Sequence, residues 1–165
     1  HPQAANWAFR HTARYMQERG RPWFWMEADQ IPLKPEWLDV LQREYDACGM
    51  PCMGPVVQDM GHANGSCIYC SDLPDRCPRF MAHPDGHWAF DMVIKDELMP
   101  MLHDASHLMA HVWCMQGDIL LPYGHGNIPT FPTRNSMRYI PPSAMVLHRC
   151  KDTSLIQRLR EQRTK

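Results

Sequence analysis

Trp23-Phe24-Trp25-Met26-Glu27-Ala28-Asp29-Gln30-Ile31-Pro32-Leu33 is the stretch on which the reading of this chain turns. Four consecutive apolar residues, Trp23 to Met26, look like a central strand buried on both faces rather than a half-solvated one. Two carboxylates, Glu27 and Asp29, follow at i and i+2, a spacing that lets both face one side of the strand's C-terminal crest. Ligand sites of open α/β sheets lie at that edge. Carboxylates closing so apolar a run are costly unless they are paired, solvated or ligating. Two hard oxygen ligands there suit Mn²⁺ or Mg²⁺ bridging a diphosphate, because Mg²⁺ in particular takes one or two carboxylates and keeps positions for phosphate and water. The plainer alternative is a helix-capping Asp29 and a solvent-facing Glu27.

Working outward, Pro2 to Glu18 reads as a helix, with Ala4, Ala5, Ala8, Ala13, Met16, Trp7 and Phe9 at helical spacings and Gly20 beyond its end. Pro35 to Ala47 reads as a second helix, closed by Gly49. Met53 to Val57 and Cys67 to Tyr69 read as strands, the latter after the Asn64-Gly65 turn signal. Ser71 to Gly86 reads as a loop rich in Pro and Asp. Asp91 to Trp113 reads as mostly helical with a break at Pro100. Residues 121 to 143, interrupted by Pro and Gly, read as loop. Met145 to Leu147 is a short apolar strand ending at His148, and a last helix is expected from Thr153. The pattern is α/β: one domain over residues 1–165, with a mixed central sheet flanked by helices and no internal repeat.

Composition bounds the function. The chain has 165 residues, 44% hydrophobic and 21% charged, the balance of a globular domain rather than a disordered one. Lys plus Arg number 17 and Asp plus Glu 18, so the chain as a whole carries no field favouring nucleic acid or an anionic membrane. The charge is uneven. Arg149, Lys151, Arg158, Arg160, Arg163 and Lys165 outweigh Asp152 and Glu161, so the tail is net +4 and the remainder −5. That tail suits a phosphate, or is simply a solvated helix end. No run of eighteen apolar residues offers a membrane span, and no leader is visible. The seven Cys are an odd number in ordinary contexts, which favours reduced thiols and a cytoplasmic location, the host cytoplasm if the source is viral. Residue 1 is His, so an upstream segment is expected.

A second constellation is Met145-Val-Leu-His148-Arg149-Cys150-Lys151-Asp152. The strand delivers His148, whose neutral imidazole is a fair third ligand for an ion such as Mn²⁺. Lys151, beside a helix start, can clamp phosphate oxygens. Alternatively, Asp152 or Thr153 simply caps that helix.

The order of these features resembles a GT-A-type glycosyltransferase, most of all the small divergent family of that type in viruses and bacteria. The residues that carry the likeness are the triplet Glu27-Ala28-Asp29, the turn His62-Ala63-Asn64-Gly65, the pair Phe90-Asp91, and His148 to Lys151. Each motif is short, and together they span nearly the whole chain. The resemblance implies a GT-A, Rossmann-related fold and transfer of a sugar from a nucleotide-diphosphate sugar, a UDP-sugar first of all, to a hydroxyl of a glycan, protein, lipid or modified nucleobase in nucleic acid. It implies Mn²⁺ or Mg²⁺ held by Glu27, Asp29 and His148, and donor contacts from Lys151 and, on the first helix, Asn6 and Arg10. Asn64 and Gly65 would lie against donor or acceptor sugar. Asp91 would activate the acceptor hydroxyl as general base, with Trp88 as a stacking platform. Asp91 as a helix cap and Trp88 as core are the structural alternatives. The triplet begins with Glu where the family usually has Asp. The chain also starts at the helix after the family's first nucleotide-gripping strand.

Two rival chemistries are present in the sequence. His103, His107 and His111 recur every four residues, so a helix would stack them on one face as ligands of a metal hydrolase, or as a plain polar face. Cys48-x₃-Cys52 and Cys67-x₂-Cys70 approach the spacing of a structural zinc module. Cys67 and Cys70 flank a strand whose alternation argues against a shared site.

Overall fold

A computed structural model of the chain describes residues 2–57, 61–82, 88–115, 118–122, 141 and 143–148. Helix α1 is Pro2–Arg19, ended by Gly20 in the left-handed conformation (φ 63°). Strand β1, Trp23–Phe24, and β2, Ile31–Pro32, flank the acidic triplet. Helix α2 is Trp37–Cys48, closed by Gly49 at φ 67°. Strands β3 (Cys52–Gly54), β4 (Val56–Val57), β5 (His62–Ala63) and β6 (Ile68–Tyr69) follow. Short helices α3 (Leu73–Arg76), α4 (Pro78–Ala82), α5 (Phe90–Val93) and α6 (Lys95–Leu98) come next, then a 3₁₀ turn at Met99–Met101. The last strands are β7 (Leu102–Asp104), β8 (Met109–Met115), β9 (Asp118–Pro122) and β10 (Val146–His148).

The chain is mixed α/β, as expected, with its strands shared between two four-stranded mixed sheets, ordered β1-β6-β3-β7 and β2-β10-β8-β9, and a β4-β5 ribbon. In the first sheet β1 and β3 run antiparallel to β6, and β7 runs parallel to β3. In the second, β10 is central, antiparallel to β2 and parallel to β8.

Alternation along β3 and β6 divides the interior in two. Cys52 and Tyr69 turn toward α1, where Phe9 has no exposed surface. Phe9 stacks on Phe90 (3.9 Å between centroids, 16° between planes) and meets Trp25, Tyr69 and Phe80 edge-on. Met53 and Ile68, next along each strand, turn to the other face and pack with Leu41 of α2, Met109 and Val146. The sheet is therefore covered on both sides, which is why its inner strands β3 and β6 are fully buried and read as apolar.

Four sequence expectations are corrected. The apolar run Trp23 to Met26, expected as a central strand buried on both faces, is the two-residue β1 at the edge of its sheet, where β6 alone pairs with it, Phe24 is half-buried and Met26 is 43% exposed. The helix expected over Asp91 to Trp113 ends at the 3₁₀ turn. Pro100 stops it, and β7 and β8 take the residues beyond, because β3 and β10 offer them parallel partners that outweigh local helical spacing. The segment 71–86 contains α3 and α4 rather than only loop, with Leu73 and Phe80 buried as their anchors. The single strand expected from Met53 to Val57 is split at Pro55, which has no N–H to donate. The expected loop at 121–143, and the helix from Thr153 with its basic tail, lie wholly or mostly outside the described residues.

Candidate metal centre

The acidic triplet sits in a tight turn between β1 and β2. The Gln30 amide N–H donates to the Glu27 carbonyl (3.0 Å), and the Glu27 N–H donates back to the Gln30 side-chain oxygen (3.3 Å). The turn is anchored at both ends. The Trp25 N–H bonds to the Cys67 carbonyl, and that of Leu33 to Met145. Both carboxylates are thus held on a short turn tethered at one end just before β6 and at the other just before β10.

Strand pairing then brings in a residue 121 positions away. Leu147 pairs with Ile31 in antiparallel register, so the chain leaving Leu147 runs toward the turn that precedes Ile31. His148 is the next residue, and it arrives against that turn. Its Nε2 lies 3.0 Å from Glu27 Oε2 and 3.2 Å from Asp29 Oδ1. The imidazole is 7% exposed, while Asp29 and Glu27 are 23% and 35% exposed, so the cluster is closed behind the ring and open at the carboxylates. Burial by itself would lower the pKa of His148, but the hydrogen bonds and charges of Asp29 and Glu27 prevail and raise it above its ordinary 6.5.

Among the described residues this is the only set of three or more His, Cys, Asp or Glu side chains whose ligand atoms all lie within 4.8 Å of one another. Two carboxylate oxygens and one imidazole nitrogen are a donor set that Mn²⁺ accepts and Mg²⁺ tolerates. The residues present therefore fit the ion the sequence suggested.

Gly65 supports the cluster from beneath. A Cβ at this position would lie 2.7 Å from Glu27 Oε1 and 2.9 Å from Phe90 Cζ, so only glycine lets the backbone pass under that carboxylate. The preceding residue, Asn64, is buried and fully engaged. Its backbone N–H donates to the Pro55 carbonyl, its Oδ1 accepts from the Ser66 N–H (3.0 Å), and its Nδ2 lies 2.7 Å from His111 Nδ1. Asn64 and Gly65 thus face the protein interior and the Glu27 carboxylate.

Asp91 lies in the first turn of α5, where its Oδ1 accepts from the Met92 N–H. Burial raises its pKa, and the charge of Glu27 adds to the rise against the opposing pull of His62. His62 Nε2 is 3.7 Å from the other Asp91 oxygen, and burial lowers the pKa of that imidazole. The pair is therefore biased toward its uncharged forms. In the sequence His62 enters only as the first residue of the turn His62 to Gly65, with no role of its own. Trp88, three residues before Asp91, is 68% exposed and not core. Asn6 is buried on α1 and donates its Nδ2 to the Trp88 carbonyl (2.8 Å), fixing this segment against the helix. Arg10, one turn on, lays its guanidinium over the Phe80 ring at 5.3 Å. Lys151 lies outside the described residues.

The rival clusters do not form. His103 is on β7, paired with Glu44 of α2 at 3.0 Å. The backbone carbonyl of His107 accepts from Ser143 in the turn before β8, and His111 on β8 reaches Asn64 and His148. The three residues lie on β7, in a turn and on β8, and β7 and β8 belong to different sheets, so no common face forms. Of the four cysteines, Cys52 and Cys70 approach to 3.6 Å. The Cys48 thiol turns to the Tyr45 carbonyl, and the Cys67 thiol to the Asn64 carbonyl. Among the described residues no helix is long and apolar enough to cross a membrane. Comparison of the chain with protein-family models, with curated proteins and with solved structures gives no match.

Proposed function

We propose that Glu27, Asp29 and His148 bind a single Mn²⁺ or Mg²⁺ and that the chain is a GT-A-type glycosyltransferase, moving a sugar from a nucleotide-diphosphate sugar to a hydroxyl acceptor. The observation that carries the metal is the convergence of three ligand-type side chains from opposite ends of the sequence, open only on the carboxylate side. What supports the nucleotide sugar is the order of motifs along the chain, with an acidic turn after the first strand and a histidine closing the last. A bound ion there neutralises diphosphate charge and so stabilises the departing nucleotide.

The chain's own residues divide the remaining work. Asp91 in its ionised form accepts the proton of the attacking hydroxyl, and burial makes that carboxylate a stronger base than an ordinary one. Trp88 offers an exposed ring face to a sugar. Asn64 and Gly65 serve the cation side of the site instead of touching sugar. Lys151 steadies the diphosphate.

Calorimetric titration of UDP with and without Mn²⁺ tests the reading. Binding that requires Mn²⁺ and is lost in Asp29→Ala and in His148→Ala supports it. Mn²⁺ and UDP binding unchanged in both variants overturns it. Mn²⁺ bound at these residues without any nucleoside diphosphate keeps the metal site and overturns the sugar donor.

A further inference from the structure

Behind the three ligands runs a line of buried polar groups that the proposed reaction does not use. It begins at a backbone amide: Ser66 N–H donates to Asn64 Oδ1 at 3.0 Å. That bond settles which end of the Asn64 amide is which, because an oxygen and not an NH₂ must face a backbone N–H. The NH₂ therefore faces His111, with Nδ2 2.7 Å from the ring's Nδ1. An NH₂ group only donates, so His111 Nδ1 is an acceptor and carries no proton. The same atom lies 3.0 Å from His148 Nδ1. Two lone pairs cannot bond to each other, so His148 Nδ1 carries the hydrogen and donates it to His111. Asn64, Ser66, His111 and His148 are all buried, so water offers little alternative to this assignment.

The consequence falls on the other ring nitrogen. Nε2 faces the Glu27 and Asp29 carboxylates, which only accept, so without an ion it donates a hydrogen of its own to them. An ion bound beside those carboxylates would displace that hydrogen and leave the lone pair on Nε2, while the hydrogen on Nδ1 stays with His111. We infer that Asn64 and His111 are positioning residues, which keep a hydrogen on His148 Nδ1 and so make Nε2, beside the two carboxylates, the nitrogen that ligates. Ligating histidines generally hand their second ring hydrogen to a fixed acceptor. Here the acceptor is a second histidine, itself fixed by an Asx turn. The parallel register of β8 and β10, which sets His111 directly opposite His148, makes the contact possible. The inference rests on the metal reading for its purpose but not for its geometry, so the two can fail separately.

The first test is nitrogen-15 NMR of the histidine rings in the metal-free chain. The expected pattern is an unprotonated Nδ1 on His111 and a protonated Nδ1 on His148. A proton on His111 Nδ1 overturns the inference, whether or not the chain binds any metal. The second test is Mn²⁺ titration of Asn64→Asp, which is isosteric but replaces the donor with an acceptor. His111 must then put its proton on Nδ1, and His148 loses its acceptor. Mn²⁺ affinity is expected to fall about 10- to 100-fold, the usual cost of removing an outer partner of a ligand, although the added negative charge by itself would tighten binding. Unchanged or tighter binding overturns the inference. If Asn64→Asp does not fold, His111→Gln and His111→Leu replace it. The glutamine carbonyl can still accept from His148, so it should retain affinity within a few-fold while leucine does not. Equal loss in both overturns it. No Mn²⁺ binding by the unaltered chain defeats the metal reading and leaves the ring-nitrogen pattern to decide the tautomer.

Discussion

Gly65→Ala isolates the geometry of the proposed metal centre without touching a ligand. The backbone at Gly65 is not in the left-handed region, so alanine meets no conformational penalty, and its whole effect comes from the methyl group. That methyl would stand 2.7 Å from Glu27 Oε1 and 2.9 Å from Phe90 Cζ. Phe90 cannot withdraw easily, because it is 4% exposed and stacked on Phe9 at 3.9 Å. Glu27 can, since its carboxylate is the end of a flexible chain and is 35% exposed. To reach ordinary contact at 3.4 Å the oxygen draws back by about 0.7 Å. Against coordination distances of about 2.0–2.2 Å such a displacement removes the ligand, or bends the chain to keep it. A loss of roughly 10- to 100-fold in Mn²⁺ affinity follows if Glu27 leaves. Overpacking against Phe90 adds a separate destabilisation of about 1–3 kcal/mol. The assay is Mn²⁺ titration of Gly65→Ala, Glu27→Gln and the double variant, with thermal midpoints recorded alongside. If alanine acts through Glu27, the double variant binds no more weakly than Glu27→Gln alone. Losses that add, or an affinity unmoved by Gly65→Ala, refute the reasoning.

The remaining predictions concern other parts of the molecule. Phe9→Ala removes the ring at the centre of the aromatic cluster and should cost about 3–5 kcal/mol in a urea melt, so a loss below about 1 kcal/mol would contradict the packing described. Burial holds the Cys77 thiol up at about 12, from an ordinary 9.0, so between those values the unfolded chain binds fewer protons than the folded one. Stability should therefore fall as pH rises from about 9 to about 12, at most about 1.4 kcal/mol per unit for this group, and Cys77→Ala should flatten the fall in alkaline urea melts. His103→Gln should leave Mn²⁺ affinity unchanged, because that ring is paired with Glu44 of α2 at 3.0 Å and is not in the Glu27, Asp29 and His148 group; a marked loss would return the histidine stripe to consideration.

The sequence by itself determined the local features. Gly20 and Gly49 mark the ends of α1 and α2 because only a residue without Cβ takes φ near 65° freely. The short strand before His148 is visible because a strand covered on both faces must be apolar throughout, and the run from Trp23 because its rings pack into the two cores beside it. The three ligand-type residues are legible too, since polar side chains that close apolar runs must be paired, solvated or ligating. Tertiary structure alone decided what these pieces meet. The spacing of His103, His107 and His111 is consistent with a helix, and only the partners offered by β3 and β10 make strands of those residues. The passage of Gly65 beneath Glu27, and the descent from Ser66 through Asn64 and His111 to His148, depend on contacts between residues up to 47 positions apart. No local pattern encodes such contacts, because a side chain's hydrogen-bond partner is fixed by the register of strands, and register is a property of the assembled sheet.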